Sequence, residues 1–161
     1  MNKSGNNSVN RIEKVREIVD AILLDMTDNV ERRCAYIHLY GVSGACALLA
    51  KKRNESVELA IIAGMLHDIY SYATMNSIDH AHKGAKMANE ILESLHMFTN
   101  DEINLISTAI YNHGDKTIVH GGLDEILKDA DVMQHVLYNP LFEVKKNEKK
   151  RFELLMDEFG L

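Results

Sequence analysis

One proline in 161 residues, and scarcely a run of β-branched side chains, leave this chain little to fold into except helices. The apolar residues keep a helical period instead. Ile12, Val15, Ile18 (with Val19) and Ile22 recur at three- and four-residue intervals. Helices are expected over Val9–Leu24, then from a capping pair, Asp28 and Glu31, to about Arg53, where Asn54 and Ser56 mark a stop and a start. A third begins near Val57 and carries His67-Asp68 near its end. A fourth covers about His80–Leu95, with Asp79 as its cap. A fifth opens on a Thr99/Glu102 capping box and runs to about His113, where Gly114 suits a left-handed stop. A sixth spans about Leu123–Tyr138. Pro140 fits the first turn of a seventh, which places Phe152, Leu155, Met156 and Phe159 on one face. The Lys145–Arg151 run reads as the solvated face of that last helix. The expectation is an all-α fold, a single-domain bundle of about six to seven helices over residues 11–161, preceded by a polar tail over 1–10.

The stretch Ala60–Tyr72, AIIAGMLHDIYSY, sends a histidine and an aspartate into an apolar run that should be buried. Ionisable groups are rarely buried unless paired or bound to a metal. With 8 histidines in the chain, chance alone supplies about half of one His-Asp pair. The pair acquires meaning only if other ligand-type residues converge on it.

The composition narrows the partners. A net charge of −6 argues against a nucleic-acid polymer. No apolar run reaches the length of a membrane span, and the start MNKSGNNSVN lacks the apolar core of a signal peptide. Cys34 and Cys46 stand 12 residues apart in one helical stretch, about 18 Å along the axis and too far to bridge. They read as buried thiols in a reducing compartment, so a cytoplasmic location is expected. Two cysteines and eight histidines place any ligand chemistry with the imidazoles.

Four positions outside the opening stretch are candidates to join His67 and Asp68: His38, His80, His113 and Asp131, spread over several helices. A bundle can aim side chains from different helices at one interior point. Such a nitrogen-rich set suits iron, manganese, cobalt, nickel or zinc better than magnesium or calcium. Gly41, Gly44, Gly64 and Gly84 lie inside helices beside these candidates, each at a cost of about 1 kcal/mol relative to alanine. Close backbone approach would explain them, as would ordinary tight packing.

The local texts around these residues are HLYGV at His38–Val42, AGMLHDI at Ala63–Ile69, HAHKGA at His80–Ala85, AIYNHGDK at Ala109–Lys116 and LKDAD at Leu127–Asp131. Taken in order, they resemble the HD superfamily of metal-dependent phosphohydrolases, over about Arg33 to Asn139. The resemblance implies that His38, His67, Asp68 and Asp131 hold one metal. It implies that His80 and His113 hold a second in members with two metals, with Asp68 bridging, so that two divalent transition metals per chain are expected. His82 competes with His80, and the spacing to Gly84-Ala85 favours His80. The implied activity is hydrolysis of a small phosphorylated metabolite, possibly a nucleotide, by a metal-activated hydroxide, with Asp68 as the catalytic carboxylate. Lys83, Lys116, His82 and His135 are the substrate-side candidates; His96 and His120 are expected to be exposed and silent. The chain lacks the GYP element of the cyclic-di-GMP branch. Two other functions fit the same ligands: a di-iron oxygenase and a non-catalytic metal- or nucleotide-binding module. The oligomeric state is left open.

Overall fold

The computed structural model describes residues 10–161, which form eight helices and no strand among the described residues. Most of the proposed tail, and Val9 with it, lies outside them. The helix α1, Arg11–Leu24, starts where Asn10 accepts a hydrogen bond from the Glu13 N–H, and buries Val15, Val19 and Leu23 along one stripe. The longer α2, Asn29–Arg53, is capped by Asp28, which accepts from the N–H groups of Val30 and Glu31. The reciprocal half of the expected capping box is not made. The Glu31 side chain borders a cleft instead. Lys51, Lys52 and Arg53 occupy the last turn of α2, where cations complement the helix dipole.

The helix α3, Val57–Leu66, is capped by Ser56 and buried almost throughout. It lies closely along α2 because residue 64 is glycine. A Cβ there would stand 2.7 Å from the Ser43 Cα, inside the contact distance any real Cβ keeps. The expected single helix through His67-Asp68 is broken at that pair. Asp68 adopts φ −110°, ψ 11°, a bridge conformation common in sites, and a short α4, Ile69–Thr74, follows. This break supplies the extra helix.

The helix α5, His80–Leu95, begins after Asp79, which is left-handed (φ 58°) and makes no cap; its carboxylate lies 2.7 Å from His82 Nδ1. Gly84 sets α5 against the break between α3 and α4, since a Cβ there would reach within 3.1 Å of the His67 carbonyl. Gly44, by contrast, faces open space, so close approach does not explain it. The Thr99/Glu102 capping box is present with both arms and opens α6, Asn100–Asn112. The helix ends on a right-handed His113, and Gly114 is not left-handed; local backbone bonds, such as the Asp115 N–H to the Asn112 carbonyl, close the turn.

The helix α7 spans Gly122–Tyr138, and α8 spans Lys149–Phe159. Pro140 does not begin α8. Asn139 accepts from the Leu141 N–H with its side chain and from the Phe142 N–H with its carbonyl, a turn with proline at its second position. Leu155 is buried and Phe152, Met156 and Phe159 pack on the core, so the apolar face of α8 docks on its own chain. The basic run is not uniformly solvated either: Arg151 is ion-paired with Glu125 and Asp129. Cys46 is buried, but Cys34 is exposed. No helix among the described residues is long and apolar enough to cross a membrane.

Candidate metal centre

Five histidines, one from each of α2, α5 and α7 and from the ends of α3 and α6, point the same nitrogen at two aspartates. Asp68 Oδ2 lies 3.4 Å from His38 Nε2 and 3.6 Å from His67 Nε2. Its other oxygen, Oδ1, lies 3.4 Å from His113 Nε2 and 3.5 Å from His80 Nε2. Asp131 Oδ1 lies 3.5 Å from His38 Nε2, 3.8 Å from His67 Nε2 and 3.4 Å from His135 Nε2. Ligand atoms bound at 2.0–2.1 Å around a tetrahedral ion would be separated by about 3.4 Å.

The opposite edge of each ring explains the orientation. His67 Nδ1 donates to the Gly64 carbonyl (2.8 Å), His80 Nδ1 to Ser77 (3.0 Å) and His113 Nδ1 to Ile110 (2.6 Å). A carbonyl can only accept, so each Nδ1 carries the proton and each Nε2 presents its lone pair. His38 Nδ1 meets Gln134 Oε1 at 2.8 Å in the same manner. In those tautomers the neutral rings of His38 and His67 turn their Nε2 lone pairs toward each other at 3.1 Å. Two lone pairs and adjoining carboxylates at that separation favour a positive charge among them, a proton or a metal ion. Among the described residues, Asp68 Oδ1 and Asp131 Oδ1 are buried without a hydrogen-bond partner. The donor set therefore fits divalent metal: His38 with His67 and Asp68, Asp68 with His80 and His113, and His38 with Asp131 and His135 each bring three ligand atoms together, the first two sets sharing Asp68.

The electrostatics agree. Burial lowers the His67 pKa to about 4, so this ring is neutral at physiological pH. Burial opposes the charge on Asp68, but a proton on the facing His67, His113 or His38 ring outweighs it and holds Asp68 well below the usual carboxylate range, and a bound cation would act in the same direction. Burial likewise lowers His38, yet Asp68 and Asp131 carry it above its ordinary value. Protons and metal thus compete for His38, and acid favours the proton.

The structure gathers His38, His67, Asp68, His80, His113 and Asp131 into one cluster, with His80 at its solvent edge, and it gives the remaining candidates different places. His135 joins the Asp131 end: its ring lies parallel to His38 at 5.2 Å, and its Nδ1 is 3.3 Å from Glu148 Oε1. His82 is half-exposed, paired with Asp79 and stacked on Tyr111, away from the cluster. Lys83 donates to the Ile78 carbonyl and covers the Tyr70 ring. Lys116 is buried with its ammonium on Asp131 Oδ2, holding a ligand where a phosphate contact was expected. His120 is not silent: its Nδ1 faces Lys128, which is fully buried and also bonds the Ile118 carbonyl and Glu125. Gln134, Glu148, Glu31 and Tyr72 carry no local motif. Only the spacing of Gln134 and His135 from Asp131, on the same helix, hints at them.

A cleft of about 340 Å³ opens on Asp68 and His80, between the start of α2 and the α4–α5 turn, with Glu31, Tyr72 and Asn76 on its walls. Burial, then Asp68, raise the Tyr72 phenol above its ordinary pKa, so it stays a hydrogen-bond donor. Another cavity, of about 530 Å³, lies between α7 and α8, where Arg53 and Arg151 are already paired with Glu158, Asp129 and Glu125.

An all-helical bundle with a buried His/Asp centre able to hold divalent metal is the class these features define. The chain belongs to the HD-domain family, whose profile matches residues 35–135. Its fold is similar to that of a predicted HD superfamily hydrolase from an uncultured Thermotogales bacterium, with a TM-score of 0.60 and 23% identity over 92% of this chain and 88% of that one. No match was found among curated proteins.

Proposed function

We propose that the protein is a metal-dependent hydrolase of phosphate esters or anhydrides that acts on a small phosphorylated metabolite. The observation that carries this reading is the split carboxylate of Asp68, with one oxygen toward His38 and His67 and the other toward His80 and His113. His38, His67, Asp68 and Asp131 would hold one divalent ion of the iron, manganese, cobalt, nickel or zinc type, and Asp68, His80 and His113 a second. Such ions bring the pKa of bound water towards about 7 and neutralise phosphate charge.

The residues around them have separate tasks. Gln134, Gly64, Ser77 and Ile110 fix the tautomers. Lys116 fixes Asp131. Tyr72, protonated and bordering the cleft, is placed to donate to a phosphate oxygen. His135, backed by Glu148, offers the Asp131 end a further imidazole.

The test is hydrolysis of an aryl phosphate by purified protein with Mn²⁺, Fe²⁺, Co²⁺, Ni²⁺ or Zn²⁺ added. Turnover that depends on metal and falls at least about 10³-fold in both His67→Ala and Asp131→Ala supports the reading. No turnover with any metal, or turnover indifferent to both substitutions, overturns it.

A further inference from the structure

Two lysines were the sequence's candidates for neutralising phosphate, and neither faces the cleft. Lys116 is committed to Asp131 and Lys83 to the Ile78 carbonyl. Among the described residues, no lysine or arginine lines the cleft that opens on Asp68 and His80. Above Asp68 and His80 its walls are the hydroxyls of Ser71, Tyr72 and Ser77, the Asn76 amide, the Met75 thioether and one further carboxylate, Glu31. Glu31 makes no ion pair and no side-chain hydrogen bond among the described residues; its backbone N–H is taken by the Asp28 cap. Asn76 spends its side-chain oxygen on the Ile78 N–H at 2.9 Å, which leaves its amide hydrogens free to donate.

Resting on the hydrolase reading above, we infer that the cleft selects a phosphomonoester whose other half bears hydroxyl or amine groups and carries no second anion. One phosphate at the floor would meet the metal ligands. A second phosphate or a carboxylate further out would meet Glu31 with no cation to offset the repulsion. Hydroxyl or ammonium groups at that height would find Glu31 as an acceptor and the hydroxyl and amide groups as partners. The cleft volume of about 340 Å³ is near the lower end for ligand sites and suits a small molecule.

Selection is read by calorimetric titration of Mn²⁺-loaded protein with two phosphonates of equal length that cannot be hydrolysed as esters, 3-hydroxypropylphosphonate and 3-phosphonopropionate. The hydroxyl compound should bind at least about 10-fold more tightly. Glu31→Gln should narrow that ratio and Glu31→Lys should reverse it; Glu31 is exposed, so neither change disturbs the core. Equal or tighter binding of the carboxylate compound to wild-type protein, a ratio unmoved in both variants, or no binding of either compound overturns the inference. The two readings fail separately. A preserved phosphonate preference with no aryl phosphate turnover sinks the hydrolase alone, and turnover without the preference sinks only the selectivity.

Discussion

An ammonium group buried against a carboxylate decides which oxygen of that carboxylate is left to act. Lys116 occupies Asp131 Oδ2, and Oδ1 is the oxygen aimed at His38, His67 and His135. Burial opposes the charge on Asp131, and Lys116 is the first group that outweighs it. Both partners are less than a tenth exposed, so removing one leaves an uncompensated buried charge. Lys116→Ala should cost about 3–5 kcal/mol of stability, read by urea denaturation, and weaken metal binding about 10–100-fold. A variant as stable as wild type with unchanged metal affinity would show that Asp131 needs no such partner. The residues that hold the centre are legible in the sequence because each sits in a distinctive local text, and histidines and aspartates in apolar surroundings are rare enough to notice. Lys116 was legible as a residue near the site but not in its role. Its side chain could have met phosphate or Asp131, and only the packing of the 115–121 segment against α7 decides between them. Gln134 and Glu148 were not legible, because glutamine and glutamate are common on solvated faces and their contacts depend on which helices meet.

At the scale of elements, the centre depends on how closely α3 lies on α2. Gly64 permits that approach, and the added methyl of Gly64→Ala would press on the Ser43 backbone, which cannot swing aside as a side chain would. The variant should lose about 1–3 kcal/mol in urea denaturation despite alanine's better helix propensity; a gain in stability would place the helices further apart than described. The close of the chain is held by charge. Arg151 pairs with Glu125 and Asp129, Arg53 with Asp129 and Glu158, and Arg151 also donates to the Lys116 carbonyl. Burial would raise the Glu125 carboxyl, but Arg151, the His120 N–H and Lys128 bring its pKa down to about 2 from 4.5. A carboxylate lowered on folding adds stability that is present above its unfolded pKa and lost as pH falls through the folded one. Stability should therefore drain between pH 4.5 and about 2. Glu125→Gln should remove about 1–2 kcal/mol of that drain, measured by urea denaturation from pH 7 downward; an unchanged slope would contradict the role of Arg151. Helix positions followed from apolar period and caps, whereas three helix boundaries did not. Asp79, Gly114 and Pro140 each carry the right residue type, but local hydrogen bonds around His82, Asn112 and Asn139 decide the turns.

For the molecule as a whole, the bundle and its centre are one construction. The same helices that bury Leu39, Ile62, Leu66 and Ile110 leave a polar point among them where lone pairs outnumber protons. Such an interior is costly unless positive charge fills it. The most direct test is the metal content of protein purified after exposure to excess Mn²⁺ and removal of unbound ion. It would be measured by elemental analysis for wild type, His113→Ala and Asp68→Ala. The account predicts about two ions per wild-type chain, about one in His113→Ala and at most one, weakly held, in Asp68→Ala. Wild-type protein with no bound metal, or three proteins with the same content, would contradict it.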